Sequence, residues 1–66
     1  MTEYLFDIGD RLWYFSGTGA RIEGPVLARE SYDHGNYYYI GLGDFWLTEI
    51  LIREDKLKKV EGYGSN

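Results

Sequence analysis

The residues able to do covalent or metal chemistry are few. The chain has one histidine, His34, and no cysteine. Asp33-His34 precedes Gly35 in a polar stretch that reads as a loop, and a metal site needs at least three converging ligands. Ser16-Gly17-Thr18-Gly19 superficially looks like a phosphate-cradling loop. It lacks the lysine and the following helix that such loops require, so it is expected to be a strand connection. No catalytic residue, metal ligand, cofactor or small-molecule substrate is expected. What remains is non-covalent chemistry. Seven tyrosines, three phenylalanines and two tryptophans make up 18% of the 66 residues, and such rings supply large contact areas with little loss of side-chain entropy.

The elements that would position those rings are short. Glycine or proline recurs too often for long helices, at Gly9, Gly17, Gly19, Gly24, Pro25, Gly35, Gly41 and Gly43, and β-favouring residues fill the intervals. Strands are expected at 10–15 and 20–30, a polar loop at 31–36, a third strand at 37–42 and a fourth from Phe45. In the first strand, Leu12 and Tyr14 share one face and Trp13 and Phe15 the other. In the second, Ile22, Gly24, Val26 and Ala28 share one face, leaving Arg21, Glu23, Leu27 and Arg29 on the wet side. Pro25 marks an edge or a bulge, and Gly24 suits a sharp bend.

Gly43-Asp44 reads as a two-residue hairpin turn. That turn sets Leu42 against Phe45, Ile40 against Leu47 and Tyr38 against Glu49, and a four-residue loop keeps the same parity. Tyr38, Ile40, Leu42, Phe45 and Leu47 are then buried, while Tyr37, Tyr39, Gly41, Trp46 and Thr48 face outward. The core is expected to hold Leu12, Tyr14, Ile22, Val26, Ala28, Tyr38, Ile40, Leu42, Phe45, Leu47, Leu51 and Leu57. Arg53-Glu54-Asp55-Lys56 suits a single 3-10 turn, followed by a fifth strand at 57–60. One domain at 1–61 and a flexible tail at 62–66 are expected.

Five short strands with a 3-10 turn before the last resemble the SH3-like barrels of the Tudor, KOW and prophage SH3-like types. The resemblance rests on Phe6-Asp7-Ile8-Gly9-Asp10-Arg11-Leu12, on Ile22-Glu23-Gly24-Pro25-Val26, on Tyr37-Tyr38-Tyr39-Ile40 with Phe45-Trp46-Leu47, and on Glu54 to Val60. It covers residues 6–60 and implies an all-β, five-stranded SH3-like barrel. It is similar to small phage or prophage proteins in size. The chain departs from KOW domains in being acidic, with 11 acidic against 7 basic residues and a net charge of −4, a balance that opposes phosphate-backbone binding.

The expected function is non-catalytic protein binding, as a small inhibitor or regulator. An outward patch of Tyr37, Tyr39, Trp46, Trp13 and Phe15 docks a partner protein or a second copy. An acidic rim of Asp33, Asp44, Glu49 and Glu23 steers it. The alternatives are a KOW-like nucleic-acid binder, with Arg11, Arg21, Arg29 and Arg53 on phosphates and Tyr37, Tyr39 and Trp46 on bases, and a Tudor-like cage for methylated Lys or Arg. The start of the chain has neither the basic nor the apolar region of a signal peptide, and no run approaches the length of a membrane span. A cytoplasmic location is expected.

Overall fold

The computed structural model describes residues 3–43 and 46–61. The expected turn residue Asp44, the expected core residue Phe45 and the tail at 62–66 lie outside them. The elements are β1 (Arg11–Phe15), β2 (Arg21–Tyr32), β3 (Gly35–Leu42), β4 (Thr48–Arg53), a 3-10 turn (Glu54–Lys56) and β5 (Lys58–Lys59). All ladders are antiparallel, in the order β4-β3-β2-β1-β5. The chain is therefore all-β, with the 3-10 turn before the last strand as expected. β4 and β5 form the two edges and are not paired with each other, so the sheet is not a closed barrel. Among the described residues, no helix is long and apolar enough to cross a membrane.

β2 is the strand both halves share. Residues 21–25 pair with β1, and residues from Val26 onward pair with β3. The two halves come very close at Gly24, where a Cβ would stand 2.0 Å from the Gly41 carbonyl oxygen. Only glycine permits that approach. The segment before β1 is fastened to the same point. Gly9 N–H donates to the Val26 carbonyl at 2.9 Å, and Val26 N–H donates to the Asp10 carbonyl at 2.9 Å. Asp10 also closes its own turn, its carboxylate accepting the Asp7 N–H at 2.9 Å. The Gly-Asp pair of the motif is thus a turn, with Gly9 at φ 96°, ahead of the first strand.

Leu12, Val26, Tyr38, Ile40 and Leu57 form the buried core, with Tyr4, Phe6, Tyr14, Ile50 and Ile52 packed against it. Three expectations are corrected here. Leu42 pairs with Thr48, so residues 43–47 form the connection, an odd number that flips β4. Ile50 and Ile52 take the inner positions, Leu47 is 85% exposed and Leu51 39% exposed. A register shift between Val26 and Ala28 makes Leu27 the extra residue of a bulge. Beyond it Ala28 pairs with the outward Tyr39, while Arg29 pairs with buried Tyr38. Finally, the loop expected at 31–36 shrinks to residues 33 and 34, because Ser31 pairs with Asn36 and Tyr32 with Gly35.

Candidate functional site

Strand alternation puts Trp13 and Phe15 of β1, and Tyr37 and Tyr39 of β3, on the side of the sheet away from Leu12, Tyr38 and Ile40. Trp46, in the connection to β4, lies over the same side. A Cβ on Gly41 would meet Trp46 Cβ and Cε3 at 3.1 Å and Leu27 Cδ1 at 3.2 Å. The indole thus rests on the bare Gly41 backbone beside Leu27, with the Arg11 guanidinium 6.0 Å from its ring. Trp46 also has φ 54°, a left-handed conformation that a bulky residue rarely adopts. The ring stays 42% exposed.

The outward rings fall into distinct neighbourhoods. At β1, Trp13 and Phe15 meet edge to face at 5.2 Å. The Arg21 guanidinium lies 4.4 Å over Trp13, and the Lys58 ammonium lies 5.8 Å away. Both positions follow from the register, since Phe15 pairs with Arg21 and Trp13 with Lys58. Trp13, Arg21, Lys58, Lys59, Val60 and Glu61 line an open pocket of about 390 Å³. At the other end, Tyr32, His34 and Tyr37 pack on one another. Tyr32 stacks on His34 at 5.8 Å, and Tyr37 meets both edge to face at 5.0 and 5.5 Å. Tyr32 donates a hydrogen bond to the Glu30 carboxylate, which also accepts from Tyr39 at 3.3 Å. The hydrogen bond to Glu30 pushes the Tyr32 phenol up to about 12. The Glu30 charge raises that of Tyr39 as well.

The acidic residues expected around the patch sit in different settings. Asp33 and Glu49 are exposed. Glu23 is held between two arginines, its carboxylate 2.7 Å from Arg11 Nε and 3.4 Å from Arg21 Nη2, and the Arg11 hydrogen bond keeps its carboxyl below the usual range. Asp44 lies outside the described residues. The four arginines do not share one surface. Arg11 and Arg21 flank Glu23, whereas Arg29 sits on the inner side, donating to the Phe6 carbonyl at 3.1 Å and lying over Tyr4 at 4.5 Å. Arg53 pairs with Asp55 at 3.6 Å. Among the described residues, no group of three His, Asp or Glu side chains could hold a metal ion.

Two arrangements were not anticipated from the sequence. The first is the Tyr32–His34–Glu30 group, hidden by reading 31–36 as a loop; a two-residue turn before Gly35 would have set Glu30 against Tyr37, whereas alternation carried from Val26 points Glu30 and Tyr32 inward because the bulge at Leu27 leaves no mark in the sequence. The second is structural. Glu54 Oε2 accepts from Tyr38 OH at 2.5 Å, Leu5 N at 3.1 Å and Asn36 Nδ2 at 3.2 Å, tying the first residues to β3 and the 3-10 turn. No sequence pattern marks this glutamate among its charged neighbours. Comparison with protein-family models, curated proteins and solved structures finds no match for the chain.

Proposed function

We propose that this chain is a non-catalytic protein-binding module that docks a partner through the outer aromatic side of its sheet. One observation carries the reading. The core closes around Leu12, Val26, Tyr38, Ile40 and Leu57 without Phe15, Tyr32 or Trp46, which remain 64%, 42% and 42% exposed. Clusters of outward-facing rings such as Trp13 with Phe15 and Tyr32 with Tyr37 are the kind of surface patch that marks interaction sites, and tyrosine and tryptophan are enriched at interface hot spots. Trp46 adds a second support, because a bulky residue held at positive φ is backbone strain of the kind concentrated at functional sites.

The partner surface is expected to be mixed in charge. Glu30, Asp33 and Glu49 lie toward the tyrosine end, and Arg21 and Lys58 lie over Trp13. We read the strand order and the 3-10 turn as an SH3-like fold of the Tudor, KOW or prophage type whose barrel stays open between β4 and β5. A small inhibitor or regulator of another protein is the role that suits it.

The Trp13 pocket favours a second reading, a KOW-like grip on single-stranded nucleic acid, with Arg21 and Lys58 near phosphates and the exposed Phe15 stacking on a base. A methyl-lysine cage finds less support, since Tyr32, His34 and Tyr37 close on one another rather than around a guest. Affinity capture from native cell extract, comparing the natural chain with Trp46→Ala, tests the first reading. A specific protein recovered by the former and lost by a folded variant supports it. Equal recovery by both excludes Trp46 as a docking residue, and salt-released nucleic acid in place of protein favours the second reading.

A further inference from the structure

β4 is an edge of the sheet, and an edge strand presents unpaired N–H and C=O groups to any strand that can reach them. Proteins commonly blunt such edges with proline, lysine or a bulge. Thr-Glu-Ile-Leu-Ile-Arg has neither residue, and its six register pairs with β3 run without a shift. Its outer positions are Glu49, Leu51 and Arg53, opposite Gly41, Tyr39 and Tyr37. Its inner positions include Ile50 and Ile52, which pack on the core. All three outer residues are exposed, Leu51 by 39%.

This pattern is complementary to itself. Two copies of β4 laid antiparallel, with their inner faces on the same side, must pair positions of equal parity. With the two-fold axis at Leu51, Leu51 meets Leu51, Ile50 meets Ile52, and Glu49 meets Arg53 of the second copy, the last two pairs occurring twice. Moving the axis to Ile50 sets Glu49 against leucine, and moving it to Ile52 sets Arg53 against leucine; either loses both charge pairs. Arg53 makes an exposed contact to Asp55 at 3.6 Å, which costs little to give up.

We propose that the chain forms a symmetric dimer by antiparallel pairing of β4 with β4 of a second copy, centred on Leu51. The pairing continues the sheet, so the Tyr37 and Tyr39 surfaces of the two copies share one outer side. It uses no atom of Trp46 and stands or falls separately from the docking reading.

Sedimentation equilibrium from about 10 µM to about 1 mM spans the affinities expected of such an interface. The natural chain is expected to dimerise. Glu49→Arg and Arg53→Glu, which set like charges opposite each other twice, are each expected to weaken the dimer roughly tenfold or more, and the two combined to restore it. Should either reversal unfold the chain, Leu51→Lys at its exposed position carries the same expectation of a weakened dimer. A natural chain that stays monomeric throughout overturns the proposal. So does a dimer that ignores the single changes, or a double variant no better than the singles.

Discussion

Glu54 gathers three donors from three parts of the chain, and its titration follows from them. Burial pushes its carboxyl up, but hydrogen bonds from Tyr38, Leu5 and Asn36 outweigh that and hold it below 4.5. Its partner moves the other way: burial, then the bond to Glu54, raises the Tyr38 phenol from 10.0 to about 12. The signs set the pH window. A lowered carboxyl stabilises the fold above its ordinary value, and that contribution is lost as pH falls through the folded-state value. A raised phenol is neutral in both states below 10; the contribution is lost as pH rises from there to about 12. Tyr38→Phe leaves Glu54 and the Phe6 N–H each short of a partner and is expected to cost about 1–3 kcal/mol. It should also remove one of the two phenols raised to about 12, leaving that of Tyr32. Urea unfolding and ultraviolet titration check the two halves; an unchanged midpoint or an unchanged alkaline titration would sink this account of the hub.

At the scale of elements, the fold depends on the close approach of Gly24 in β2 to Gly41 in β3 and on the register of β4. Gly24→Ala drives a methyl group into the Gly41 carbonyl and is expected to destabilise by about 1–3 kcal/mol, read from thermal unfolding. A neutral result there would mean that Gly24 of β2 and Gly41 of β3 do not meet as described. The register makes a paired prediction. Leu47→Asn, at an exposed position, should change stability by less than about 0.5 kcal/mol. Ile52→Ala should cost about 1–2 kcal/mol, part of the cost of truncating a fully buried isoleucine. Reversed costs would restore the pairing of Ile40 with Leu47.

That pairing was the natural reading, and the reason it failed is physical. Residues 45–52, Phe-Trp-Leu-Thr-Glu-Ile-Leu-Ile, carry apolar side chains at both parities, so alternation cannot choose between them. Turn length decides, and Gly43-Asp44 suggested an even one. The bulge at Leu27 was equally silent, because Val26, Leu27 and Ala28 are all apolar. The strands were legible, as were the inward Tyr38 and Ile40 and the outward Tyr37 and Tyr39, because β3 alternates without interruption. Tyr4 and Phe6 joined the core unannounced, since only the tertiary contact to Tyr38 recruits them.

At the scale of the whole molecule, a net charge of −4 conceals a division. Arg21 and Lys58 gather over Trp13, while Glu30 sits among the tyrosines. Rings lie between and within these regions, and the central claim is that they are a docking surface. Quantitative capture of the partner by folded single variants tests it most directly, with Trp46→Ala, Tyr39→Ala and Phe15→Ala set against Lys56→Ala at the exposed 3-10 turn. The account predicts that at least one ring deletion lowers capture roughly tenfold or more while Lys56→Ala leaves it unchanged. Capture that survives all three ring deletions would contradict it.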